Sequence, residues 1–163
     1  MTTTKRMIDV KIKIKKLSPD TVIPEYKHRT DAGFDLAAAE IVLIHPGQTV
    51  RVKTGLAFDI PDGYEMQIRP RSGLSAKSPI RVIVGTIDSG YHGEVSIIVE
   101  LRALSGSKEN KYPNYTGSYC IFTGDRIAQA IIAPVVHADF EEVDELDESE
   151  RGTNGFGSTG VSG

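Results

Sequence analysis

The chain has 163 residues, enough for one domain with a substantial buried core. It carries 19 Lys and Arg against 22 Asp and Glu, and this slightly acidic balance argues against a general nucleic-acid binder. Its single cysteine excludes an intrachain disulfide and favours a reducing compartment. Because it has neither an apolar run of membrane-spanning length nor an apolar signal core, we expect a cytoplasmic protein without a membrane partner.

Strand signals dominate the chain. Apolar residues alternate with lysines over residues 10–15, which is the period-two pattern of a half-buried strand. Further strands are predicted at 41–44, 49–60, 64–70, 80–87, 94–101, 119–122 and 126–136, and one turn of helix at 74–78. Glycine- and proline-containing turns separate them. Many short strands at similar spacing predict an all-β sandwich or barrel, most simply a jelly roll.

Two polar stretches interrupt this pattern. Residues 105–118 are charged and broken by glycine and proline, which predicts a loop between two strands. Residues 140–150 are acidic and are most simply a solvated linker.

The glycine-rich end of the sequence, RGTNGFGSTGVSG over Arg151–Gly163, contains the spacing G-x-G-x-x-G. That spacing usually marks a dinucleotide-binding turn that opens a helix. Only three residues follow Gly160, so no helix N-terminus can hold a pyrophosphate there. The combination of glycines, hydroxyls, one arginine and one phenylalanine instead predicts a pliable segment that contacts a nucleotide.

Two internal motifs carry groups suited to phosphate or metal. In Asp31–Leu36 the first carboxylate fits an Asx-type turn, whereas Asp35 lies between apolar residues and needs a partner, for which hydrated Mg²⁺ is one candidate. Pro70–Lys77 combines a guanidinium, hydroxyls, a glycine and an ammonium, which suit phosphate oxygens. Taken alone, this second motif is slightly better explained by a basic surface turn.

The segment Gly85–Glu94 is the strongest internal signal. We interpret it as a hairpin that presents Asp88 and Tyr91 together, a pairing that an ordinary Ser-Gly turn does not explain. In Gly124–Gln129, the acid and the arginine are interpreted as structural and the glutamine as a ligand contact. The four histidines lack metal-site spacing, and Cys120 is predicted to be a buried thiol.

In order and spacing, five segments resemble the signature motifs of the trimeric dUTP diphosphatases (dUTPases): Asp31–Leu36, Pro70–Lys77, Gly85–Glu94, Gly124–Gln129 and Arg151–Gly160. The resemblance implies a distorted jelly-roll homotrimer with shared active sites. It also implies Mg²⁺-dependent hydrolysis of dUTP to dUMP and pyrophosphate, which limits uracil incorporation into DNA and supplies dUMP for dTTP synthesis. We therefore expect a jelly-roll domain over 1–140, with 105–118 inserted, and an acidic linker with a mobile C-terminal lid over 141–163. The location would be cytoplasmic, or nuclear in a eukaryote, with no direct nucleic-acid binding.

The resemblance also implies residue roles. Asp88 would position the attacking water at the α-phosphorus, and Tyr91 would pack under the deoxyribose and exclude a 2′-OH. Asp35 would hold water ligands of Mg²⁺. The uracil would be read near Val84, Gly85 and Ile87, and the phosphates would be contacted by Arg71, Ser72, Gly73 and Gln129. In the lid, Arg151 would meet the γ-phosphate, Phe156 would stack on uracil, and Gly157, Ser158 and Thr159 would close over the phosphates.

Two other readings stay open. A dCTP deaminase shares the fold, but its pattern has a tryptophan where Tyr91 stands and a catalytic glutamate where Ile98 stands; Glu100 is at the wrong offset, and deaminases lack the glycine-rich tail. A non-enzymatic jelly-roll protein with a degenerate site would most simply have lost Asp88, Arg71 or Phe156. Two departures from the dUTPase pattern, Val82 and the longer 105–118 loop, leave the motifs intact.

Overall fold

The computed structural model describes residues 9–19, 21–102, 117–149 and 152–153. They form ten strands and one short helix: β1 (Lys13–Lys16), β2 (Phe34–Ala37), β3 (Val42–Ile44), β4 (Thr49–Asp59), β5 (Tyr64–Pro70), α1 (Ser72–Lys77), β6 (Ile80–Val82), β7 (Gly85–Ile87), β8 (Glu94–Leu101), β9 (Tyr119–Ile121) and β10 (Arg126–Pro134). The predicted all-β class is confirmed, and the expected turn of helix begins two residues earlier than the sequence indicated.

The strands form two four-stranded antiparallel sheets and one two-stranded sheet. The first sheet has the order β1-β4-β8-β6, the second has the order β2-β10-β5-β7, and β3 pairs with β9. Most neighbours within a sheet are distant in sequence, so the sheets depend on crossovers and not on a chain of hairpins. Within the residues that the structure describes, no helix has the length and apolar content needed to span a bilayer.

The core lies between the two larger sheets. On β8 the buried residues Val95, Ile97, Val99 and Leu101 alternate with more accessible ones, as period two requires when one face of a sheet is covered. The second sheet contributes buried side chains that include Leu36, Met66 and Ile68. Burial of these faces fixes the register of each strand, since a slip of one residue would turn the apolar set toward solvent.

Gly55 of strand β4 has a positive φ of 68°. The pairing of β4 with β8 shifts register between Lys53 and Ala57, so this glycine lies in a β-bulge. Its backbone N–H donates to Glu94 Oε1 at 2.9 Å, which joins the bulge to the start of β8. The bulge therefore fixes the position of the residue that closes the Gly85–Glu94 motif.

Several predicted elements need correction. The predicted strand over 80–87 is two strands in different sheets, because β6 pairs with β8 whereas β7 pairs with β5. The hairpin prediction for Gly85–Glu94 was therefore wrong, and residues 88–93 form a turn that connects the two sheets. The N-terminal strand covers 13–16 and not 10–15. Cys120 is half-buried and not fully buried.

The two polar stretches are described only in part. Of the predicted loop, only Gly117 and Ser118 belong to the described residues. In the acidic stretch, residues 140–149 have no helix or strand and are exposed, in keeping with a solvated segment. The boundary between a domain over 1–140 and a lid over 141–163 stays a prediction, because most of the lid lies outside the described residues.

Candidate active site

Three charged residues from separate parts of the chain meet at one end of the second sheet. Arg71 donates to both carboxylate oxygens of Asp35, with Nε–Oδ1 at 2.7 Å and Nη2–Oδ2 at 3.1 Å. Arg126 Nη1 donates to the same Oδ2 at 3.2 Å. Arg71 Nη1 also donates to the backbone oxygen of Arg126 at 2.8 Å. We call Asp35, Arg71 and Arg126 the arginine–carboxylate cluster.

Strand pairing explains why these residues meet. On β2, Asp35 is paired with Gln129 of β10, and β10 continues the ladder to β5, where Ala128 is paired with Pro70. Gln129 Nε2 donates to the backbone oxygen of Pro70 at 2.8 Å. Because Arg71 follows directly after β5, this hydrogen bond holds the chain where the guanidinium reaches Asp35.

The cluster borders a cleft of about 340 Å³, whose other lining residues include Leu74, Tyr119 and Asp125. The side chains of Arg71 and Asp35 are 28% and 22% exposed, so their ion pair is partly removed from solvent. Two guanidinium groups and one carboxylate leave a formal charge of +1, which suits an anion. Asp125 adds a carboxylate at the rim, where it accepts from the backbone N–H of Phe122 at 2.9 Å, a structural turn contact as the sequence indicated.

Two further titratable or polar features flank the cluster. The pKa of Tyr119 is raised by burial and then by the nearby Asp125 carboxylate, so its phenol stays protonated near neutral pH. Ser72 and Gly73 begin α1 and are exposed beside the cluster.

Asp31 is a turn residue. Its carboxylate accepts from the backbone N–H of His28 at 2.8 Å, which agrees with its interpretation from the sequence.

The second group of predicted site residues lies at the turn 88–93. Tyr91 donates its backbone N–H to the backbone oxygen of Asp88 at 3.1 Å, and its hydroxyl donates to the backbone oxygen of Glu94 at 3.1 Å. A cleft of about 250 Å³ lies beside this turn and is lined by Ile87, Asp88, Tyr91, Ser96, Ile98 and Arg51, among others. The carboxylate of Asp88 is exposed and makes no hydrogen bond or ion pair with any residue in the described ranges.

The predicted residues therefore form two groups within one chain. Arg71 and Asp35 belong to the cluster, and Gln129 lies next to it. The turn and its cleft contain Ile87, Asp88 and Tyr91, whereas Gly85 begins β7 and Val84 lies before β7 with 66% of its surface exposed. Among described residues, none lines both clefts. Arg151, Phe156, Gly157, Ser158 and Thr159 lie outside the described residues, so their placement stays a prediction.

Sequence reasoning missed two cations. Arg126 was interpreted as structural, but it contacts Asp35; its place directly after Gly124-Asp125 in a recognised motif was the signal that could have identified it. Arg51 lies on β4, outside every motif, and reaches the cleft of Asp88 because β4 pairs with β8. No sequence pattern indicated that residue.

Comparison with known proteins decides the family. The family profile dUTPase matches residues 20–107 and 111–160, which covers most of the chain. The chain belongs to the dUTPase family. A deoxyuridine 5′-triphosphate nucleotidohydrolase of Nautilia profundicola is 48% identical over 153 residues, which are 93% of this chain and 99% of the relative. The corresponding protein of Helicobacter hepaticus is 47% identical over 92% of this chain and 89% of its own length.

Solved structures agree with this assignment. A mutant dUTPase of Staphylococcus bacteriophage 80alpha with dUpNHpp has a TM-score of 0.83 and 36% identity, and the match covers 93% of this chain and 99% of that one. A mutant dUTPase of S. aureus phage phi11, described for its coordination of a structural Mg(II) ion, has a TM-score of 0.74 and 32% identity over 84% and 99% of the two chains. The predictions of the family, of a jelly-roll β fold and of a dUTP diphosphatase type of enzyme are confirmed. Family membership also favours this activity over dCTP deamination and over a non-enzymatic protein.

Proposed function

We propose that this dUTPase hydrolyses dUTP to dUMP and pyrophosphate by Mg²⁺-dependent attack of an Asp88-positioned water on the α-phosphorus. The observation that carries the proposal is the exposed carboxylate of Asp88, without a partner among the described residues, beside Tyr91 in one cleft of a dUTPase-family chain. In a cell this reaction limits uracil incorporation into DNA and supplies dUMP for dTTP synthesis.

Asp88 is the proposed general base. A carboxylate whose lone pairs are not taken by protein donors can accept a proton from water within hydrogen-bonding distance. The water oxygen forms a bond to the α-phosphorus, the bond from that phosphorus to the bridging oxygen of the β-phosphate breaks, and pyrophosphate leaves. The proton passes to Asp88 and then to solvent.

The arginine–carboxylate cluster is the proposed phosphate side of the site. Phosphoryl transfer depends mainly on positioning and charge neutralisation, and two guanidinium groups supply fixed positive charge. Ser72, Gly73 and Gln129 are proposed to add polar contacts to the phosphates. Because Asp35 has both oxygens engaged by Arg71, it is held in place at the edge of the anion site.

The donor set of the cluster fits Mg²⁺ only through water. Asp35 is the sole carboxylate in the cluster, and its oxygens already accept from two arginines, so direct ligation would cost those bonds. Mg²⁺ usually keeps several waters and binds through substrate phosphates with one or two carboxylates, which agrees with an outer contact to Asp35. When bound, Mg²⁺ supplies charge neutralisation on the triphosphate. The residues of this chain orient it and the substrate.

The turn 88–93 and the strand before it are proposed to bind the nucleoside. Tyr91 would pack against the deoxyribose and exclude a 2′-OH, which is selection by clash. Val84, Gly85 and Ile87 would contact the uracil. Such contacts would exclude ribose and thymine by steric clash, because these groups are slightly larger than deoxyribose and uracil.

We also propose a homotrimer in which each active site is shared between chains. The two groups of site residues occupy separate clefts of one chain, so a neighbouring chain could bring the cluster of one to the turn of another. The segment 141–163 would close the site as a lid, with Arg151 on the γ-phosphate, Phe156 on uracil, and Gly157, Ser158 and Thr159 over the phosphates. A stacked aromatic contributes about 1–3 kcal/mol per base, enough to help order such a lid. A cytoplasmic location is part of the same proposal.

Pyrophosphate release from dUTP, dTTP, UTP and dCTP, measured with Mg²⁺ and with EDTA, tests the activity. We expect strong turnover of dUTP alone and its loss in EDTA. Comparable turnover of UTP or dTTP would contradict the proposed nucleoside contacts, and full activity in EDTA would contradict the role of Mg²⁺.

A mixing experiment tests the shared site. Chains with Asp88→Asn and chains with Arg71→Ala are each expected to be weakly active, and co-refolding them should restore activity, because some mixed sites receive an intact turn and an intact cluster. No recovery in verified mixed oligomers would contradict sharing.

Removal of the residues after Ser149 tests the lid. It should leave a folded oligomer with much weaker catalysis, and full activity of the shortened chain would contradict the role of the lid.

A further inference from the structure

The ring of Tyr91 lies directly over the backbone of Gly93. A β-carbon built on Gly93 would lie 2.5 Å from the Tyr91 hydroxyl oxygen, 2.6 Å from Cζ and 3.0 Å from Cε2. Carbon atoms that are not bonded to each other do not approach so closely, because optimal separations are about 3.5–4.0 Å. The absence of a side chain at position 93 is therefore a condition for the observed place of the ring.

A hydrogen bond holds the ring over Gly93. The Tyr91 hydroxyl donates to the backbone oxygen of Glu94 at 3.1 Å. Glu94 is itself anchored, because its carboxylate accepts from the backbone N–H of Gly55 at 2.9 Å in the bulge of β4. These two hydrogen bonds connect the ring to the first sheet through Glu94, although 46% of the Tyr91 surface is exposed.

We infer that Gly93 is a positioning residue for sugar discrimination, which it exerts by leaving the space that the Tyr91 ring occupies. This inference rests on the proposed function, in which Tyr91 excludes a 2′-OH. The exposed ring can swing away from a new methyl group at little cost, so Gly93→Ala leaves the fold intact but moves the ring. A moved ring no longer fills the space beside the sugar, and UTP gains access.

The turn offers a matched control. Gly90 belongs to the same turn, has no positive φ, and no heavy atom beyond its two chain neighbours lies within 4 Å of an added β-carbon. Gly90→Ala therefore makes the same chemical change three residues away without crowding the space over Gly93. A difference between the two alanine variants reports the space over Gly93 and not a general stiffening of the turn.

The test compares kcat/KM for dUTP with kcat/KM for UTP. A site that rejects an analogue with one added hydroxyl discriminates by roughly 10²-fold, and Gly93→Ala should reduce the ratio of the wild type by about tenfold or more. Gly90→Ala should keep the wild-type ratio. In a Tyr91→Ala background, Gly93→Ala should change the ratio by less than about twofold, because the residue acts only through the ring.

The outcomes separate the two proposals. A wild-type protein that hydrolyses dUTP and rejects UTP, together with an unchanged ratio in folded Gly93→Ala, overturns the inference alone. A wild-type protein that accepts both nucleotides equally overturns the role of Tyr91 and the inference with it. A crystal structure of Gly93→Ala adds a readout without turnover: a displaced Tyr91 ring supports the inference, and a ring in its original place overturns it.

Discussion

Asp35 and Asp88 are both aspartates of recognised motifs, yet their surroundings differ. Asp35 is half-buried, and its two oxygens accept from Arg71 and Arg126. Asp88 is exposed in a turn, and its carboxylate has no partner among the described side chains or backbone groups. One carboxylate is therefore held by charge-assisted hydrogen bonds, while the other keeps its lone pairs for a ligand or water.

From this difference we propose different roles for the two residues. A carboxylate that accepts hydrogen bonds from two guanidinium groups orders the cations that would meet phosphate. A carboxylate without protein donors can take up a proton when water attacks. The comparison also explains why the same residue type at two sites should respond differently to substitution.

The largest effect is expected for Asp88→Asn. The amide cannot accept the proton, and general-base catalysis contributes about 10²–10⁴-fold, so kcat for dUTP should fall within that range. Pyrophosphate release measures it. Asp62→Asn, at an exposed turn outside both clefts, should retain the wild-type kcat; an equal loss in both variants would show that the assay reports something other than the base.

An intermediate effect is expected for Arg71→Ala. Loss of charged hydrogen bonds to phosphate should reduce kcat/KM for dUTP by roughly 10- to 100-fold. The half-buried Asp35 also loses a bidentate partner, so the free energy of unfolding should fall by about 1–3 kcal/mol. Steady-state kinetics and denaturant unfolding measure the two changes.

Arg69 provides the control for that variant. It precedes Arg71 by two residues on β5, is exposed, and donates through Nε to Gln67 at 3.0 Å. Arg69→Ala should change the free energy of unfolding by less than about 0.5 kcal/mol. If Arg69→Ala and Arg71→Ala behaved alike, the cluster would have no special role.

The smallest effect concerns the ion pairs behind the turn. The Lys13 ammonium, bonded to Asp59 at 2.7 Å, lowers the pKa of Asp59, and His92 at 3.3 Å adds to it. Because the pKa of Asp59 is lowered in the folded chain, its carboxylate stabilises that chain at pH values above the ordinary pKa of 3.8. This stabilisation is lost as pH falls through the lowered pKa. Exposed pairs contribute little, so Asp59→Asn should only slightly flatten the decline of Tm between about pH 5 and 3. Superimposable pH profiles would contradict this.

The sequence allowed prediction of elements whose signal is local. Strand β8 was placed at its observed bounds, because alternation over 94–101 is long and regular. The hairpin prediction for the Gly85–Glu94 segment is wrong, because turn residues indicate that the chain reverses direction but not which strands the two flanking strands pair with. The structure shows that β7 pairs with β5.

The candidate site divides in the same way. Asp35, Arg71 and Asp88 could be predicted from the sequence, because each lies in a segment that resembles a dUTPase motif. Arg126 and Arg51 depend on pairing between distant strands, β10 with β2 and β4 with β8, and such register cannot be read from either segment alone. The position of the Tyr91 ring over Gly93 likewise needed coordinates.

The contrast between Asp35 and Asp88 is tested most directly by separating binding from bond cleavage in Asp88→Asn and Asp35→Asn. Affinity for dUpNHpp is measured by calorimetry with Mg²⁺, and cleavage by single-turnover conversion of bound dUTP. We predict that Asp88→Asn binds within about threefold of the wild type but cleaves at least about 10²-fold more slowly, whereas Asp35→Asn loses affinity as well. Wild-type cleavage of bound dUTP by Asp88→Asn would contradict the account.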